Sequence, residues 1–218
     1  MITILKRTIT VLFVILTIQS GFAAETMEKW KTKDLTDMEN LARQLSFENY
    51  AKIRMLKSAI INYSGNQVFE SLINTYSDAS AFYFSRDIVN AANLFAQNEK
   101  EINEVASKLC DIYEKDTSAI LSSTSTDIVK PKMLKQIKNK ETVDPNMKLV
   151  LNMATSAMQR AKDQNKWGRP IEAIYYFRLA KKICFRYYQD MQVAIPEKYS
   201  KDRVDSRDEV FDEKQKLN

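Results

Sequence analysis

Apolar residues in this chain recur every three or four positions, the signature of helices with one buried face, and almost nowhere alternate as strand residues do. Leu41, Leu45, Ile53, Leu56 and Ile60 share one face of a helix predicted over residues 37–63, with Thr36 and Glu39 at capping-box spacing and Gly65 as its stop. A second helix, residues 66–76, carries Val68, Phe69, Leu72, Ile73 and Tyr76, and Ser77 with Asp78 caps a third over 79–96, which holds Phe82, Phe84, Ile88, Leu94 and Phe95. Asn98 and Glu101 repeat the capping-box spacing before Ile102, Val105, Ala106, Leu109, Ile112 and Tyr113, predicting a fourth helix to about residue 120.

Polar residues then take over. Ser122 to Thr126, followed by Pro131 and lysines 130, 132, 135, 138 and 140, predict a mobile connection over residues 122–143 between an N-terminal helical region, 25–121, and a C-terminal hairpin, 144–195. The lysines could meet an anionic surface, or simply solvate the connection. Asp144 before Pro145 pairs a cap with proline at the first helical position and opens a helix through Leu149, Met153 and Ala157 to about residue 164. Trp167, Gly168 and Arg169 turn the chain, and Pro170 opens a last long helix to about residue 193.

That last helix is apolar over a wide arc. Ala173, Phe177, Ala180, Cys184, Tyr187 and Met191 form one stripe, with Ile174, Leu179 and Ile183 beside it, as suits a helix packed on two sides. Arg178, Lys182 and Arg186 stand four apart as a basic strip for solvent or acidic neighbours. Tyr175 and Tyr188 point off the main stripe and are candidate contact residues, since tyrosine joins a large apolar body to a polar tip. The remaining aromatics, Tyr176, Phe177, Phe185 and Tyr187, belong to the core or to a ligand groove. After Pro196 a charged tail, 196–218, has Val204, Val210 and Phe211 as anchors and is either a solvated helix or a segment that orders on a partner.

The start of the chain follows another pattern. Lys6 and Arg7 precede an apolar run from Ile9 to Ile18 and a small-residue exit at Gly21, Ala23 and Ala24. The run is about half of the roughly 20 residues a membrane span needs, so residues 1–24 are expected to be a removable signal peptide rather than an anchor. The expected address is export, periplasmic in a bacterium, with no membrane-spanning helix left after removal. Without the leader the excess of basic residues falls from +5 to +3, far from the clustered charge of a nucleic-acid binder.

Composition narrows the chemistry. The chain has no His, which removes Ser-His-Asp and Cys-His nucleophile activation and the usual zinc and non-haem iron sites. Its three glycines cannot build a phosphate-cradling loop. A carboxylate pair such as Asp111 with Glu114, or Glu99 with Glu101, could act without His, but nothing in their spacing marks a cleft. We therefore expect no catalytic residue, cofactor or metal. Cys110 and Cys184 both fall on apolar stripes, either as a disulfide suited to an oxidising compartment or as two small core residues.

Ala161, the turn at 165–169, and Ala173, Phe177 and Ala180 are spaced as in a helical hairpin of the tetratricopeptide repeat, which residues 152–185 resemble. Gln164 stands where that family usually has a large aromatic, and Phe185 where proline often ends the unit. Ala81, Tyr83 and Arg86 echo Ala173, Tyr175 and Arg178 at the same spacing. The resemblance implies stacked antiparallel hairpins. The chain is also similar in general character, helical, aromatic-rich and free of His, to the periplasmic proteins that coat spirochaete flagellar filaments. The expectation is thus an all-α protein, either a tetratricopeptide-like array or an irregular bundle. It would work by protein contacts as a structural or scaffold subunit of an envelope or appendage assembly, the alternative being a periplasmic chaperone or peptide-binding module.

Overall fold

With few helix breakers in the chain, long helices form and each apolar face must find a partner. The computed structural model describes residues 34–141 and 144–206, of which about 89% are helical and none lies in a strand, so the fold is all-α. The elements are α1 (Leu35–Tyr63), α2 (Asn66–Phe84), α3 (Ile88–Thr124), a π-helical turn (Ser125–Val129), α4 (Lys130–Lys138), α5 (Pro145–Lys166), α6 (Pro170–Asp190), a 3-10 turn (Glu197–Tyr199) and α7 (Ser200–Ser206). The expected signal peptide at residues 1–24, and Val210 and Phe211 in the tail, lie outside the described residues, as does the side chain of Val204.

Glycine and proline mark the ends that were expected. Gly65 takes φ +90° and returns its N–H to the Ile60 carbonyl at 2.8 Å, closing α1. Pro145 and Pro170 both stand in the first turn of their helices, where the missing N–H costs nothing.

Two expected breaks are absent. Ser77–Asp78 lies inside α2 and Asn98 inside α3. The turn between them falls at Ser85–Asp87: Arg86 adopts φ +67°, the Asp87 N–H donates to the Phe82 carbonyl at 3.0 Å, and the Asp87 carboxylate accepts the Asn90 N–H at 3.3 Å. The expected interruption at Ser122–Thr126 is helical as well. There α3 passes into the π-helical turn, whose Ile128 and Val129 are buried against Met147, Tyr187 and Tyr188. The wider turn precedes Pro131 at the start of α4, where a proline is tolerated.

The chain divides into two compact units. Within the described residues one comprises 34–50 and Asn74–Glu99. Its core sets Ala42 and Leu45 of α1 against Ala79 of α2 and Ala91, Ala92 and Phe95 of α3, and the alanines let three helix backbones approach closely. Buried Asn49 donates to the Phe95 carbonyl at 2.8 Å, and Arg86 meets Glu39 at 3.7 Å.

The other unit comprises Ala51–Ile73 and residues 100–206. Ile120, Ala154, Cys184, Phe185 and Tyr199 form one part of its core. Part of the expected charged tail is therefore packed, its anchors being Tyr199 and Asp202. The Tyr199 hydroxyl bonds with Ser123 at 2.7 Å.

Candidate functional site

The α5–α6 hairpin is built by local rules. The Asp144 side chain accepts the Asn146 N–H at 2.9 Å, starting α5. Gly168 takes φ +71° and the Arg169 N–H returns to the Gln164 carbonyl at 3.0 Å, so three residues reverse the chain. Ala154, Ala157 and Ala161 on α5, and Ala173 and Ala180 on α6, are all buried, and small side chains at these positions suit close packing of the two helices.

On the hairpin's outer side Met153, Ser156 and Arg160 of α5 stand at helical spacing beside Leu179, Lys182, Ile183 and Arg186 of α6. They line a groove of about 540 Å³, within the size range of ligand pockets. Its floor is apolar, from half-buried Leu179 and Ile183 with exposed Met153 at its edge; its rim is cationic, from Arg160, Lys182 and Arg186, and no lining residue is acidic. Arg186 has Asp190 one turn further on at 4.0 Å, with both side chains largely in solvent. An apolar trough with one sign of charge along its edge attracts a segment that is apolar in the middle and acidic on its flanks.

Two of the sequence-predicted contact residues, Lys182 and Arg186, meet at this groove, and Tyr175 is exposed (53%) on the same helix, its ring edge-on to Tyr176 at 5.3 Å. The other two are corrected. Tyr188 is buried (1% exposed) among Ile128, Val129, Met147 and Tyr187, because the helical turn at 125–129 covers the side of α6 assigned to solvent. Arg178 is buried too (8% exposed): its guanidinium bonds the Ser58 hydroxyl and reaches the Met55 carbonyl at 3.5 Å, so it joins α6 to α1.

Of the two alternatives for Cys110 and Cys184, the structure shows small core residues rather than a disulfide: both thiols are free and buried. Cys110 Sγ lies 3.1 Å from the Pro170 carbonyl at the start of α6, whereas Cys184 is fourteen residues further along that helix. At 1.5 Å rise per residue that is about 20 Å, far outside the roughly 7 Å between Cα atoms that a disulfide tolerates. Burial pushes the Cys110 thiol up to about 12, with Asp111 and Glu114 adding to the shift, and the Cys184 thiol up to about 11. Neither is an activated nucleophile.

A charged site that the expected contact residues do not include lies in the core. Lys181 is fully buried and its ammonium pairs with Asp202 of α7. It also sits 4.2 Å from the Tyr113 ring centroid and 5.5 Å from that of Tyr63, whose hydroxyl donates to Asp202 at 2.8 Å. Burial raises the pKa of nearby Asp116, a shift that Lys181 opposes and Asp202 reinforces. With Lys181 fully buried at its centre, this cluster fastens α1, α3, α6 and α7 together. Its signal was legible: Ile174, Phe177, Lys181, Cys184 and Tyr188 form a continuous stripe, and one member is charged.

The acidic candidates have partners of other kinds. Glu114 pairs with Lys162 at 3.0 Å, and Glu101 borders a separate, smaller groove between α2 and α3 with Glu104 and Lys108. Among the described residues no group of three or more His, Cys, Asp or Glu is placed to hold a metal, and no helix is long and apolar enough to cross a membrane. Comparison with protein families, characterised proteins and solved structures returns no match.

Proposed function

We propose that this chain is an exported, non-catalytic protein that works by protein contact, as a structural or scaffold subunit of an envelope or appendage assembly. The observation that carries the reading is the α5–α6 groove, whose apolar floor and cationic rim suit an acidic amphipathic segment of a partner protein. Exposed Tyr175, edge-on to half-buried Tyr176, supplies the large amphipathic surface that anchors protein interfaces. Burial of Lys181 and of both raised-pKa thiols supports a role without turnover. The leader pattern supports export, and the flagellar filament coat is one assembly with the same general character.

The competing role is a peptide-binding or chaperone module, which the exposure of Leu149 and Met153 on the outer side of α5 favours. Tagged full chain recovered from its host under mild lysis separates the two. A partner set held at fixed ratio through moderate salt supports the scaffold role. A scatter of substoichiometric clients transfers the groove to the chaperone role, and a chain recovered alone contradicts both.

A further inference from the structure

The segment beyond α7 matches the groove in charge. Residues 208–213 read Asp208, Glu209, Val210, Phe211, Asp212 and Glu213, two apolar residues between two acidic pairs. The groove presents the complement, Leu179 and Ile183 in its floor with Arg160, Lys182 and Arg186 on its rim. The chain enters the segment from α7, which Asp202 fastens to Lys181 on the buried side of α6. From Ser206, where α7 ends, an extended chain covers up to about 7 Å to Asp208 and up to about 24 Å to Glu213.

We propose that residues 208–213 of this chain dock in its own α5–α6 groove and compete with the partner segment, an inference that rests on the groove being a site for acidic segments. Because it belongs to the same chain, the segment meets the groove intramolecularly, so even a weak match competes with dilute ligands. The attraction is largely electrostatic and weakens with salt. The buried Lys181–Asp202 pair fixes α7, from which the segment leaves, to α6, the helix that supplies half of the groove.

Zero-length carbodiimide cross-linking of the full chain at low ionic strength, with peptide mapping of the monomer, tests the contact. The expected product is an amide between Lys182 and one of Asp208, Glu209, Asp212 or Glu213, lost in Lys182→Gln and reduced at high salt. Links only between two copies, or none in a chain whose circular dichroism is native, overturn the proposal. A second measurement separates its failure from that of the groove itself. A synthetic Asp-Glu-Val-Phe-Asp-Glu peptide is titrated against the full chain and against the chain carrying Asp208→Asn, Glu209→Gln, Asp212→Asn and Glu213→Gln. Binding at least tenfold tighter to the neutralised chain supports the competing segment. Equal binding to both removes the segment but leaves the groove, and binding to neither removes both.

Discussion

Lys181 occupies a position where helical periodicity asks for an apolar side chain, and Asp202 is what makes the lysine tolerable. Breaking a buried ion pair by removing one partner costs about 3–5 kcal/mol, whereas replacing both with apolar groups is often neutral. Asp202→Ala should therefore lower unfolding stability by roughly that amount in urea, and Lys181→Met with Asp202→Leu should recover most of it. A loss under about 1 kcal/mol for Asp202→Ala would show that the pair is not holding α7. The thiols give a pH prediction of definite sign. Their folded pKa values of about 12 and about 11 lie above the roughly 8.5 of an unfolded cysteine, so the unfolded chain releases protons first and stability falls as pH rises above that value. Between pH 8 and 9.5 the urea midpoint should fall further for the wild-type chain than for Cys110→Ala/Cys184→Ala; parallel profiles would contradict the burial of the thiols. The two misread residues, Tyr188 and Arg178, show the limit of a helical wheel. It identifies the residues sharing a face but not how many neighbours a helix has, and α6 has neighbours where the wheel left solvent.

At the scale of elements, helix ends were legible where a special residue marks them. Gly65, Pro145, Gly168 and Pro170 stand at ends that the spacing predicted. The α2–α3 turn was not legible because Arg86 takes the left-handed conformation that a glycine would have advertised, while Ser77–Asp78 and Asn98–Glu101 imitate caps within continuous helices. The helical course of residues 122–138 was hidden similarly: serine and threonine suggested a loop, but Ile128 and Val129 bury themselves on the α6 tyrosines. A non-glycine residue in the left-handed region costs about 1–2 kcal/mol. Gln192, with φ +54° just beyond α6, is such a residue. Gln192→Gly should raise stability by about 1 kcal/mol, less some unfolded-state entropy, seen as a higher thermal midpoint. A lower midpoint would mean that the glutamine side chain contributes more than its backbone costs.

For the whole molecule, the pattern of apolar positions was enough to establish the all-α class, since breakers are scarce and no segment alternates as a strand. The groove was only half legible. Lys182 and Arg186 were singled out on one helix, but Arg160 and Met153 come from the other, and only the hairpin's packing brings the two rows together. Charge reversal at the rim isolates the groove from the fold because Lys182 and Arg186 are exposed. The central measurement is recovery of the tagged Lys182→Glu/Arg186→Glu chain from its host beside the wild-type chain, with thermal melting confirming equal stability. The wild-type chain is expected to keep a fixed-ratio partner through moderate salt, and the reversed chain to lose it at least tenfold. Equal retention by the two chains would contradict the groove as the contact site.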